Sequence, residues 1–202
     1  MVQVRGSSKI EENKNFKENN LLNAAFALFT EKGVKKTSVQ EIVDKAGVAK
    51  GTFYLYFKDK YDVQDYLIAR KSKQLFYEAM RALESEDICD YKEKIVFIID
   101  YIINEFIKNK LLLKFISKNL SWGLYNDKIS SIIDDSSLGL LDLFVEDVRK
   151  NHVHLKNPEI TLFMIIELTS STVFSSITTG KPMPIEEFKP YLYDEIRKML
   201  SE

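Results

Sequence analysis

Thr37 to Val63 reads TSVQEIVDKAGVAKGTFYLYFKDKYDV, and its punctuation fixes the local fold. Ser38, followed three residues later by Glu41, is a capping box that opens a helix. Val39, Ile42, Val43 and Ala46 then recur at helical spacing, and Gly47 ends the run. A second short helix is expected from about Lys50 to Phe57, with Phe53 and Phe57 on the face that packs inward. Lys50 and Tyr54 fall on one flank of that stripe, and Thr52 and Tyr56 on the other. Gly51 puts no side chain beside Lys50, so the backbone there can come close to a base or a phosphate. Two short amphipathic helices joined by a tight glycine turn are a helix-turn-helix in outline, with polar and aromatic groups placed for the major groove of DNA.

Outward from this stretch the chain is helical throughout, with no convincing alternating strand. Upstream, Asn15 to Lys32 predicts a helix with Leu22, Ala25, Phe26 and Phe29 on one stripe and Gly33 as its stop. Downstream, Asp59 can cap a long helix from Lys60 to Leu83, which gives way to the acidic stretch Glu84 to Asp90. Tyr91 to Ile107 is apolar nearly all round, as in the middle of a bundle, and Asp100 and Glu105 argue against a membrane span. Further helices are expected over Lys110 to Leu120, Lys128 to His152 and Pro158 to Thr179, and a last one from about Pro190 to Leu200. The expected fold is all-α with about nine helices. It divides into a helix-turn-helix domain, 1–60, and a helical bundle for ligand binding and dimerisation, 61–202.

Composition narrows the function. At 45% hydrophobic and 29% charged residues the chain is globular rather than disordered. The net charge of −1 hides an asymmetry: residues 1–60 hold eleven Lys/Arg against seven Asp/Glu, and the remainder eighteen against twenty-three. A basic head on an acidic body suits a polyanion partner. No secretory signal is read at the start, and a single cysteine, Cys89, excludes an internal disulfide and fits the reducing cytoplasm. Cys89 itself is expected to be a small half-buried helix residue. His152 and His154 lie two apart and share no helical face, so no metal or cofactor is expected. No phosphate-binding loop, dinucleotide fingerprint or nucleophile elbow occurs, which argues against an enzyme.

Taken in order and spacing, LLNAAFALFTEKG, TSVQEI and AGVAKGTFYLYFKDK make Leu21 to Val63 resemble the DNA-binding domain of the TetR family of bacterial regulators. That resemblance implies that Lys50 and Gly51 approach base edges. It makes Ser38, Thr52, Tyr54, Tyr56 and Lys60 candidates for phosphates, with Thr52 also near a base and Thr37 in the same DNA-binding set. Two positions depart from the family pattern. Ala49 stands where a capping serine is common, and Tyr61 with Asp62 where an acidic pair is usual.

One such head contacts few bases, so a two-fold homodimer is expected, with heads about one DNA turn apart, ~34 Å. In Pro158 to Thr179 the stripe Phe163, Ile166, Ser170, Phe174 and Ile177 is the expected interface, with Glu167 inside it at a rim or paired position. The resemblance further implies a small-molecule effector, of unknown identity, within the body. Phe76, Tyr77, Tyr101, Phe115, Trp122 and Tyr125 are candidates to hold it, with Asp100 and Asn104 four apart on one helix face. Such a site would favour a large apolar or cationic molecule. The reading is a cytoplasmic repressor that binds a palindromic operator and is released by a ligand, with no membrane partner. Control by a protein partner, or a helical binding protein without DNA affinity, are the alternatives.

Overall fold

A computed structural model describes residues 5–117, 140–151 and 153–201, with side chains for 12–117, 144–151 and 153–201. Among these residues all regular structure is helical: α1 (Arg5–Lys32), α2 (Val39–Ala46), α3 (Lys50–Tyr56), α4 (Lys60–Leu83), α5 (Tyr91–Lys108), α6 (Lys110–Ile116), α7 (Leu140–Lys150), α8 (Pro158–Thr179) and α9 (Ile185–Met199). The chain forms two compact units, Met1–Leu67 and Ile68–Glu202, so the division falls inside α4.

The first unit packs α1 against α2 and α2 against α3. Leu21, Leu22, Ala25 and Phe29 from α1 are buried with Ile42, Val43, Phe53 and Phe57. Phe53 is fully buried, and its transfer from water contributes about 1.5–3 kcal/mol. Phe26, expected on the same stripe, is only half-buried. The termini behave as their residues dictate. Ser38 accepts from the Glu41 backbone N–H while Glu41 accepts from the Ser38 N–H, and Gly47 closes α2 at φ 68°. Asp59 Oδ1 accepts from the N–H groups of Tyr61 (2.8 Å) and Asp62 (2.9 Å) to start α4. Asp62 also accepts from the Lys58 N–H at 2.9 Å, closing the α3–α4 turn.

In the second unit α5 is central, touching α6, α8 and α9. Ile99, Ile103 and Phe106 of α5 are buried, as are Leu113 and Ile116 of α6, Val173 of α8 and Ile196 of α9. Polar ties fasten α9 to α5. Asp100 Oδ1 accepts from the Tyr193 hydroxyl at 2.5 Å and pairs with Lys189 at 3.1 Å, while Lys189 also donates to Asn104 Oδ1 at 2.7 Å. Burial, and then the Asp100 carboxylate, raise the Tyr193 phenol well above its ordinary range. Arg197 grips Glu93 with two donors, at 2.6 and 2.9 Å.

Several boundaries differ from expectation. α1 begins at Arg5 rather than Asn15. The added residues are rich in Lys and Glu and free of proline, so they continue the helix without an apolar stripe to announce it. α9 begins at Ile185, and Pro190 lies inside it rather than at its start. Glu186 and Glu187 complement the helix dipole in the first turn, and the N–H of Phe188 bonds to Pro184 O at 3.0 Å. Cys89 is exposed in the loop before α5, not half-buried in a helix. Residues 118–120 and 128–139 of the expected helices, and His152, lie outside the described residues. α8 is long and apolar enough to cross a membrane by length and composition, with 39% of its most apolar window buried in the bundle.

Candidate nucleic-acid interface

On α3, Phe53 and Phe57 point into the first unit, and the opposite face is turned outward. Lys50, Gly51 and Tyr54 are exposed, Tyr54 to 54%, and Thr52 is half-buried. Ala49 precedes the helix with no side-chain cap, as its methyl group requires. A Cβ added at Gly51 would meet nothing within 4 Å, and its φ lies in the ordinary range. Nothing inside the chain therefore demands glycine at this position.

The other candidates are committed internally, each for a chemical reason. Thr37 is 1% exposed and donates its hydroxyl to Gly33 O at 2.9 Å, so it closes the α1–α2 turn rather than facing outward. Lys60 Nζ donates to Lys35 O (3.0 Å) and Thr37 O (2.8 Å), stitching the start of α4 to the same turn. Tyr56 spends its only O–H donor on Lys14 O at 3.1 Å, where burial and the nearby Glu18 raise its pKa. Ser38 is exposed, yet its hydroxyl donates to Glu41 Oε2 at 2.9 Å. Glu41 in turn pairs with Lys32, and the Lys32 ammonium and the Ser38 donors hold its carboxyl down to about 2. A phosphate offers only acceptors, so of the expected set Lys50, Thr52 and Tyr54 are the residues whose side-chain donors no described hydrogen bond occupies, with Gly51 beside them; the Thr52 N–H itself donates to Ala49 O at 2.9 Å.

Sequence reasoning missed Leu55. It is 82% exposed, the most exposed large apolar side chain described, and it stands one helical turn from Gly51 on the outward face. Its signal was available: Leu55 falls diametrically opposite the Phe53–Phe57 stripe.

The second unit holds a cavity of about 520 Å³, within the range of drug-sized ligand sites. It is lined from α4, α5, α7 and α8, and of the candidate residues Phe76 of α4 is on its wall. The other described candidates for this pocket are not. α5 turns Ile95, Ile98, Ile99 and Ile102 into the cavity, which puts Asp100 and Asn104 on the opposite side, tied to α9. Tyr77 lies with Lys73 Nζ 5.7 Å from its ring centre, Tyr101 is half-buried off the wall, and Phe115 is buried away from it. Trp122 and Tyr125 lie outside the described residues.

The stripe expected to pair two copies is also rotated. Ile166 (8% exposed) and Ser170 (5%) are buried against the bundle of their own chain, while Phe174 and Ile177 are half-buried. Phe163 and Glu167 of the expected set are exposed, and beside them Ile160 and Met164, with Tyr191 on α9. The cause is helical phase: Leu162, Ile165, Thr169 and Val173 set the inward face, and Ile166 and Ser170 lie within its arc.

Residues 21–66 match the family model described as bacterial regulatory proteins, tetR family. The HTH-type transcriptional regulator YhgD of Bacillus subtilis is 26% identical over 184 residues, 90% of this chain and 95% of that protein. A TetR-family transcriptional regulator from Syntrophomonas wolfei superposes with a TM-score of 0.65 at 22% identity, over 94% of this chain and 97% of its own. The Bacillus subtilis transcriptional regulator FadR, solved in complex with stearoyl-CoA, does so at 0.60 and 19% identity, over 89% and 97%. Residues 21–66 thus carry a helix-turn-helix of the TetR family type, and over 90% or more of its length the chain is similar to regulators of that kind in sequence and in fold.

Proposed function

We propose that the chain is a cytoplasmic, homodimeric repressor that reads a palindromic operator through the outward face of α3 and lets go when a small molecule fills the cavity. The observation that carries the DNA reading is Gly51. It is exposed, without strain and without an internal neighbour, so its missing side chain serves an approach from outside. Lys50 supplies a donor for base acceptors, and Leu55 an apolar contact for a thymine methyl. Thr52 and Tyr54 serve phosphates, while Thr37, Ser38, Tyr56 and Lys60 hold the scaffold that aims them. Residues 1–60 act as the reading head and 61–202 as the responding body.

Two copies supply the affinity that one head lacks, and the apolar face of α8 around Ile160, Phe163 and Met164 suits a second copy. The cavity, and the stearoyl-CoA bound by a protein of the same fold, support control by a small molecule. The test is a mobility shift with the DNA upstream of the chain's own gene, across a salt series. A complex of two chains per duplex whose affinity falls linearly with log salt is expected. No shift at low salt on any duplex would leave a helical binding protein as the better reading.

A further inference from the structure

The cavity of the second unit combines three features that together select a class of ligand. Its walls are apolar, with Leu75, Ile99, Ile102 and Ile165 among them. Within those walls two hydroxyls, Ser72 Oγ and Thr169 Oγ1, have no hydrogen-bond partner among the described residues, and their residues are 2% and 6% exposed. A hydroxyl shut away from water and unpaired costs free energy; both oxygens are turned from the open space as well, so each would have to turn about χ1 to meet a polar atom on a bound molecule, which would relieve that cost. Among the described residues of the lining the charged groups are unbalanced: four carboxylates (Glu84, Glu86, Glu146 and Asp147) stand with two ammonium groups (Lys94 and Lys150), with Glu84, Glu86, Glu146 and Lys150 exposed. Lys150 already pairs with Glu146 at 3.3 Å.

We infer that this cavity takes a neutral or cationic amphiphile: an apolar body, a hydrogen-bonding group within reach of Ser72 or Thr169, and no anionic head. This rests on the reading above that the cavity is the effector site, and names the chemistry of the effector. A hydroxyl can donate or accept, so Ser72 and Thr169 admit a carbonyl, an ether, an amide or an alcohol alike. Apolar surface drives entry, and the carboxylate excess decides among head groups. A carboxylate or phosphate would sit in a field of its own sign, whereas an ammonium would be drawn to it and would find Phe76 and Phe144 on the wall.

The test uses the full-length protein without DNA and four probes that share a ten-carbon chain. These are decyltrimethylammonium, ethylene glycol monodecyl ether, decanoate and decanoyl-CoA, titrated calorimetrically below their micelle concentrations. Saturable, stoichiometric binding of the ammonium and the ether is expected, with decanoate and decanoyl-CoA weaker by roughly tenfold or more. Thr169→Val should weaken the ether and leave operator binding intact. The exposed pair Glu84→Gln and Glu86→Gln should shrink the advantage of the ammonium over decanoate. Decanoate or decanoyl-CoA binding as tightly as the ammonium overturns the inference. So does binding by none of the four, or an ammonium preference indifferent to the glutamine pair. If the ammonium binds as described but operator affinity is unchanged, the ligand class stands and the effector reading falls.

Discussion

The two units differ in where they leave polar groups unspent. In the first, the buried and turn-forming polar side chains answer one another: Thr37 bonds Gly33, Lys60 bonds the same turn, Ser38 and Glu41 close a box, and Tyr56 reaches Lys14. What remains open lies outside, on the first turn of α3. In the second, the outer ties between α5 and α9 are saturated, while Ser72 and Thr169 inside are not. Tyr91, Ser117 and Ser176 are buried and unpaired among the described residues too, but off the cavity wall; where an unspent polar group also borders open space, it marks where the fold can meet something else. In the head that meeting is on the surface, and in the body it is in the interior.

The contrast can be broken from its apolar side first. Phe53→Ala should cost about 3–5 kcal/mol, the range for truncating a buried aromatic, and should abolish DNA binding by unfolding the first unit. Urea denaturation followed by far-ultraviolet circular dichroism would report it. A small loss there would mean that α3 is not anchored as described. A smaller effect separates scaffold from contact. Tyr56→Phe removes one half-exposed hydrogen bond and should cost about 1 kcal/mol of stability without changing the preference for operator over scrambled DNA. A changed preference would make Tyr56 a reader and blur the distinction.

The mildest probe is acid. Glu41 is held near 2, against its ordinary 4.5, by Lys32 and by the Ser38 donors. Because its folded pKa is lowered, its contribution is complete above about pH 4.5 and is lost as pH falls towards 2. The stability advantage of the wild type over Glu41→Gln, compared as urea midpoints, should therefore fade over that window. An advantage that survives at pH 2 would mean that charge on Glu41 is not what tightens the box.

Legibility followed the same line between head and body. Ser38, Glu41, Gly47, Asp59, Phe53 and Phe57 act through caps and spacing over a few residues, and the sequence carries those rules directly. The internal commitments of Lys60 and Tyr56 were hidden, since their partners are carbonyls 23 to 42 residues away; that of Thr37 is local, to Gly33 four residues back. Asp100 and Asn104 share one face, as their spacing says, but which neighbour that face meets depends on α9, 85 or more residues on. The same limit misplaced Ile166 and Ser170: α8 spreads its apolar and its small hydroxyl residues all round, so no polar side tells inward from outward. The cavity, made by four helices, could be named at only one of its residues, Phe76.

The central claim is that sequence is read by the uncommitted face of α3. The most direct test is the ratio of affinities for operator and scrambled duplex, measured by fluorescence anisotropy for the wild type and for Lys50→Ala. Loss of one base-reading donor pair should lower that ratio by about 1–3 kcal/mol while the fold stays intact. A ratio that holds at the wild-type value, with overall affinity merely reduced, would show Lys50 touching backbone alone and would contradict the account.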